Sequence, residues 1–316
     1  MVMNEHDNEA LGSSETNRGV ENHSVEPASP TKTPMYQALN AERYQRQSLI
    51  RTIQKQYGNL LICYVAGARA LITRDDTLGI QELLHNIPHG TALDLLLHTP
   101  GGDIDAVEKL MCMVRQTAGS HQLRVIVPDY AKSAGTLMAL AADSIVMSAS
   151  SELGPIDPQI MLGDGRGNQR WHSVMNYLDA FEFYSQQVRK NPNDVVAQHM
   201  LNKFEPATLK SLEAAKNRAQ QLAESHLKRG MFSKKSGNFS KIASELMDTT
   251  RWLTHGQMID YQAAQVMGLD VQYLKPTGGQ WRAYWQLYCQ QRLAVKDTQK
   301  LFESDYASIP LDGLLV

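Results

Sequence analysis

Cysteine is scarce in this 316-residue chain: Cys63, Cys112 and Cys289 are odd in number, far apart and form no CxxC pair. That excludes a disulfide framework and a cysteine-paired structural zinc site, and it fits a reducing compartment. Long hydrophobic runs are missing as well. The richest stretch, residues 137–147, is broken by Asp143 and falls short of the roughly 18–20 apolar residues that span a bilayer. Residues 1–34 offer Asn, Glu, Ser, Thr and Pro without the apolar run of a secretory signal, so a cytoplasmic protein without a membrane span is expected. Neither sign of charge dominates. Lys plus Arg (31) nearly balances Asp plus Glu (33), for a net charge of −2, which argues against nucleic acid or another polyanion as the main partner. A P-loop is lacking too, because Gly163-Asp-Gly-Arg-Gly167 has no Lys-Ser/Thr after its glycines. No metal or organic cofactor is expected.

What is present is a regular alternation of short apolar runs and amphipathic stretches. Residues 1–34 have too little apolar surface to offset the entropy of ordering and read as a disordered tail. Residues 35–58 carry Tyr36, Leu39, Tyr44, Leu49 and Ile53 at helical spacing. Leu60–Val65 is rich in β-formers and reads as a buried strand. Ile80, Leu83, Leu84 and Ile87 then mark one face of a helix. Strands at Leu93–His98, Leu123–Pro128 and Ser144–Met147 follow, with helices expected over 104–116 and from about Ser133. Strand–helix alternation of this kind implies a parallel sheet of repeated βαβ units, with ligands at the carboxyl ends of the strands. Residues 35–160 form the first part of this core. Residues 161–250 read as a helical insertion of polar loops and long helices such as Pro206–Arg229, with Leu209, Leu212, Ala215 and Ala219 on one face. Residues 251–275 return to the core, with a helix over about 260–267 stopped by Gly268. Residues 276–316 are expected as a helix over 281–303 followed by a tail. Its aromatic stripe of Trp281, Trp285 and Tyr288 suits a contact between subunits.

Two glycine-containing turns carry the chemistry. In His98-Thr-Pro-Gly-Gly102 the glycines permit positive φ and leave bare N–H groups at a helix start, which is how an oxyanion hole is built from backbone alone. In Tyr130-Ala-Lys-Ser-Ala-Gly-Thr136, Ser133 stands at the tip of a helix that is apolar nearly all round. Small neighbours, Ala134 and Gly135, leave its hydroxyl open to approach. Either turn alone reads as an ordinary strand-to-helix connection or an N-cap. Together they follow the logic of a nucleophile elbow.

These turns, with Ala139-Leu-Ala-Ala-Asp143, Leu153-Gly-Pro-Ile-Asp-Pro-Gln159 and Thr254-His255 followed by Gly268-Leu-Asp-Val271, resemble the serine dehydrogenase proteinase family. That family is distantly similar to the Clp protease and to signal peptide peptidase A. The resemblance covers residues 45–275 and is weakest in the middle helical section. It implies an α/β protein with a Clp protease/crotonase-like core, a peptide or protein as substrate, and a homo-oligomer. It makes Ser133 the nucleophile, Gly101 and Ala134 the oxyanion donors, and Asp157 and His255 the rest of a triad in the order Ser, Asp, His.

Other readings stay open at this point. A Ser-Lys dyad as in signal peptide peptidase A needs a desolvated lysine; Lys190 and Lys203 are the candidates, whereas Lys132 is too close in sequence to turn onto Ser133. His98 reads as structural. Asp103 and Asp105 read as acids of a helix start. A crotonase-type acyl-CoA enzyme and an oligomeric scaffold with a degenerate site are the rival functions. With no ATPase module recognisable, any ATP dependence would come from a partner.

Overall fold

The computed structural model describes residues 32–163 and 169–312 and divides into two units, Met1–Asn40 and Ala41–Val316. Residues 1–31 of the expected disordered tail lie outside the described residues, as does the glycine-rich stretch from residue 164 to 167. In the first unit Pro34–Leu39 forms helix α1, opened by Pro34 and capped by Thr33, whose hydroxyl accepts from Tyr36 N–H.

The second unit runs α2 (Ala41–Tyr57), β1 (Leu60–Ala66), α3 (Asp76–Leu84), β2 (Leu93–His98), α4 (Ile104–Ala118), β3 (Leu123–Ile126), β4 (Tyr130–Ala131), α5 (Ala134–Leu140), β5 (Ser144–Met147) and β6 (Glu152–Leu153). It continues through the hairpin β7 (Gln159–Gly163) and β8 (Gln169–Ser173), then α6 (Val174–Lys190), α7 (Val195–Leu201), α8 (Pro206–Arg229), α9 (Phe239–Leu246), α10 (Tyr261–Val266), β9 (Val271–Tyr273), α11 (Gly279–Leu293), β10 (Gln299–Glu303) and β11 (Ser308–Asp312). The main sheet has the order β11-β10-β1-β2-β3-β5-β9. Its five strands from β1 to β9 are parallel, while β10 and β11 add an antiparallel edge.

Alternation along the strands divides the core between the two faces of the sheet. In β1, Ile62, Tyr64 and Ala66 pack with α3, α4, α5 and α8, whereas Leu61, Cys63 and Val65 pack with α2 and α11. The result is helices on both sides of a mostly parallel sheet, as the βαβ pattern requires. Asp103 caps α4 through Asp105 N–H at 2.8 Å, the helix-start role read for these acids. Helix α8 spans the expected residues, but its buried face is Leu212, Ala219, Leu222, Ala223, His226 and Leu227. Leu222, Ala223 and Leu227 join the central core, so this part of the insertion is built into it.

The carboxyl-terminal region departs from the expected helix and tail. Helix α11 ends at Leu293, and residues 299–312 pair as β10 and β11 on the main sheet. The aromatic stripe is not a free face either: Trp281 and Tyr288 are buried in the core against β1, and Trp285 alone of the three is exposed. A helix has to cover that side of the sheet, and these rings are what cover it.

Candidate active site

The site grows from backbone pairing beyond the carboxyl ends of the parallel strands. Thr99 pairs with Ala131, Ala131 with Leu153, and Leu153 with Ile259. Bonds of about the usual length hold this ladder: Lys132 N–H to Thr99 O at 3.1 Å, Glu152 N–H to Asp129 O at 2.7 Å, and the reciprocal pair between Leu153 and Ile259 at 2.9 and 3.0 Å. Four segments distant in sequence are thereby laid edge to edge. They are the Pro-Gly-Gly turn, the Ser133 turn, the Asp157 segment and the His255 loop.

Ser133 is partly exposed at the junction of β4 and α5, with φ +51° and ψ −117°. Among the described residues no other non-glycine has a positive φ. Such a conformation costs on the order of 1–3 kcal/mol and persists only where its surroundings impose it. Here they do. Gly135 N–H donates to Lys132 O at 2.7 Å and Leu137 N–H to Ser133 O at 3.2 Å, closing the turn from the following helix. Thr136 Oγ1 donates to Ala131 O at 2.8 Å and accepts from Gly154 N–H at 3.0 Å, fastening that helix to the Asp157 segment.

The Pro-Gly-Gly turn presses against the serine. A β-carbon on Gly101 would lie 2.9 Å from Ser133 Cβ and 3.4 Å from Ala134 N, and one on Gly102 would strike Ile72 backbone atoms at 2.4 Å. Both residues have positive φ, so both close approaches require glycine. The Gly101 carbonyl accepts from Ile72 N–H at 2.8 Å, while its N–H donates to Thr99 Oγ1 at 3.2 Å. Gly101 and Ala134 are thus brought beside Ser133, with the Gly101 donor engaged by a neighbouring hydroxyl.

Asp157 and His255 are paired. His255 Nδ1 lies 2.7 Å from Asp157 Oδ1, and Gln159 Nε2 donates to Oδ2 at 2.8 Å. Asp157 is buried, whereas the imidazole is about 29% exposed. With Nδ1–H donating to the carboxylate, the tautomer leaves Nε2 free to accept a proton. No hydrogen bond joins Ser133 Oγ to this ring among the described residues.

The rival bases fare differently. Lys190 and Lys203 are exposed, without the desolvation a neutral lysine needs. Lys132 Nζ pairs with Glu152 Oε2 at 3.1 Å and donates to Leu153 O, Gly256 O and Gln257 O at 3.1, 3.4 and 3.3 Å. His98 is fully buried between the rings of Tyr130 and Tyr288, and Tyr288 in turn donates to Asp129 at 2.7 Å. Burial, with the charge of Arg292, pulls the His98 pKa down to about 3, so it sits there as a neutral structural group. Among the described residues no group of three or more His, Cys, Asp or Glu side chains is placed to hold a metal ion, and no helix is long and apolar enough to cross a membrane.

Three contributors escaped the sequence reading. Gln159 stood at the end of a quoted motif, and Thr99 stood inside one, so both had a positional signal. Lys132 had none for this role, because three of its four partners are backbone carbonyls.

A family model described as ClpP-like SDH-type serine proteinase matches residues 34–298. Two uncharacterized proteins of Methanocaldococcus jannaschii are similar in sequence. One is 32% identical over 203 residues, 63% of this chain and 60% of the relative; the other is 35% identical over 128 residues, 37% and 42% respectively. The chain therefore spans about three fifths and two fifths of the lengths of these relatives. Among solved structures, ClpP1 from Listeria monocytogenes is 12% identical, covering 73% of this chain and 96% of its own, with a TM-score of 0.38. A membrane-bound stomatin-specific protease is 18% identical, covering 69% and 99%, with a TM-score of 0.27.

Proposed function

Because the chain belongs to the family of ClpP-like SDH-type serine proteinases, we propose that it hydrolyses peptide bonds through an acyl-enzyme formed on Ser133. The observation that carries this reading is the strained Ser133 turn, held by one backbone ladder to the segments that bear the His255–Asp157 pair. In this scheme Ser133 Oγ attacks the scissile carbonyl while His255 Nε2 takes its proton. Asp157 fixes the ring and stabilises the imidazolium. His255 then gives the proton to the leaving amine. A water that passes its proton to the same nitrogen attacks the acyl carbonyl, and that proton goes on to Ser133 Oγ as the Oγ–acyl bond breaks and the acid leaves. Ala134 N–H and Gly101 N–H receive the oxyanion, the latter on leaving Thr99 Oγ1. The step that completes the site is closure of Ser133 onto His255.

Two features favour a second reading, a scaffold that keeps the fold without turnover: the Ser133–His255 bond is not made, and Gly101 N–H is satisfied internally. A fluorophosphonate probe separates the two. Labelling of the wild type that disappears in Ser133→Ala supports the peptidase; an unlabelled wild type supports the scaffold. The homo-oligomer implied by the family resemblance remains part of the proposal, with an interface that does not use the buried Trp281 and Tyr288. Light scattering at micromolar concentration tests it, and a monomer overturns it. The three free cysteines suit a reducing, cytoplasmic setting.

A further inference from the structure

Lys132 immediately precedes the candidate nucleophile, yet its side chain turns away and reaches across to the loop that bears the candidate base. Its ammonium meets Glu152 Oε2 and Leu153 O at 3.1 Å each, then Gly256 O at 3.4 Å and Gln257 O at 3.3 Å. Gly256 and Gln257 directly follow His255, and Leu153 lies four residues before Asp157. One side chain therefore gathers the serine turn, the aspartate segment and the histidine loop. The route it takes is also prepared. A β-carbon on Gly154 would lie 2.8 Å from Lys132 Cδ and 3.4 Å from its Cα, so the bare glycine lets the stem pass.

The backbone ladder alone does not fix the histidine loop. The reciprocal Leu153–Ile259 bonds hold it four residues beyond His255. On the other side Trp252 is buried with its Nε1 donating to Glu245 O at 2.8 Å, while Leu253 and Thr254 between Trp252 and His255 are exposed. Between these points the Lys132 ammonium supplies the inward hold on residues 256 and 257. Its own side chain is about 14% exposed and its carboxylate partner about 26%, so water competes only in part for these bonds. Carbonyl oxygens accept and never donate, and the three N–H groups of the lysine are shared among these three carbonyls and the Glu152 carboxylate.

We infer that Lys132 is a positioning residue that sets the height of His255 over Ser133, acting through the Gly256 and Gln257 carbonyls with Glu152 as its counter-charge. The inference rests on the triad reading of Ser133, Asp157 and His255. Lys132 takes no proton from the serine, and its effect passes entirely through the imidazole.

That last property gives the test. Acylation of Ser133 by a fluorophosphonate is followed in wild type, Lys132→Met, His255→Ala and the double variant, with hydrolysis of an activated ester measured alongside. In the protein that keeps His255, Lys132→Met lowers the acylation rate and kcat by about a hundredfold, the scale of a misplaced catalytic group, with KM little changed. In the His255→Ala background the same substitution costs nothing further. Lys132→Arg, which retains charge and donors, restores most of the rate. Gly154→Ala, which obstructs the stem while leaving the charge, lowers it partway. Should Lys132→Met fail to fold, Gly154→Ala carries the same cycle. An equal cost with and without His255, or a wild-type rate in Lys132→Met, overturns the inference while leaving the triad standing. A His255→Ala protein that acylates at the wild-type rate removes the triad and the tether together.

Discussion

His255 and Asp157 meet at 2.7 Å across a sequence separation of 98 residues, the imidazole partly open to solvent and the carboxylate buried beneath it. The second carboxylate oxygen is held by Gln159 at 2.8 Å, so the aspartate cannot rotate without breaking both contacts. An arrangement of this kind fixes which imidazole nitrogen carries the proton.

The first prediction follows from that constraint. Asp157→Asn keeps the shape but lets the side-chain NH2 face the ring, which favours the tautomer with Nε2 already protonated. We expect kcat to fall by roughly a thousandfold or more. The loss is smaller than that from Ser133→Ala or His255→Ala, because orientation is lost while the groups remain. Gln159→Ala frees one carboxylate oxygen only and costs about tenfold. Ester hydrolysis by the purified variants, with circular dichroism to establish folding, makes the comparison; an Asp157→Asn enzyme of wild-type activity contradicts the pairing's role.

Ser133 supplies the second. A residue held at φ +51° is strained unless it is glycine, so Ser133→Gly relieves strain that Ser133→Ala retains. Both variants are inactive, but Ser133→Gly is expected to be more stable than Ser133→Ala by about 1 kcal/mol in urea denaturation. Identical midpoints for the two variants contradict strain at this turn.

Gly101 gives the third. Adding a methyl places it 2.9 Å from both Lys132 O and Ser133 Cβ at a backbone with φ +109°. Neither neighbour is the loose end of a flexible chain, so the two turns must separate. Gly101→Ala is expected to lose acylation by at least about a hundredfold and about 1–3 kcal/mol of stability. A variant with wild-type stability and labelling shows that the two turns are not in contact.

Much of this fold was legible because apolar periodicity and burial agree. Leu93–His98 and Ser144–Met147 are strands with the expected bounds, and Pro206–Arg229 is a helix with the expected bounds. The antiparallel strand β10, between β11 and β1, was hidden by its charges. In Gln299–Glu303, Lys300 and Glu303 look like surface residues, yet both are buried. Lys300 bonds Asp76 at 2.6 Å and Glu303 takes a bidentate bond from Arg46, partners 224 and 257 residues away. No local pattern announces such pairing. The hairpin of β7 and β8 read as polar loop for a related reason, since its strands are largely exposed and lack a buried face. Within the site, the two turns were visible as motifs, whereas the Lys132 contacts were not. Three of their four acceptors are main-chain oxygens, which every residue possesses, and the fourth is the Glu152 carboxylate 20 residues away.

The last prediction concerns pH and stability. His98 is buried against Tyr130 and Tyr288, with Asp129 and Arg292 close by, and its pKa in the folded protein lies at about 3 against an ordinary value of 6.5. Between those two values the unfolded chain binds a proton at this position and the folded chain does not. Stability therefore rises with pH across that window and is lost as pH falls from about 6.5 toward 3, with a slope approaching about 1.4 kcal/mol per unit from this residue. Burial also lowers the pKa of His226, which adds a loss in the same direction. Replacing His98 with glutamine removes the first contribution and leaves the second. Urea denaturation at intervals from pH 4 to 8 is expected to show the wild type losing stability faster than His98→Gln below pH 6.5. The difference between the two curves should be constant above pH 7.5, where both states hold the imidazole neutral. Curves that stay parallel down to pH 4 mean that His98 takes up a proton in the folded protein as readily as in the unfolded one. The ring would then have to leave its place between the two tyrosines.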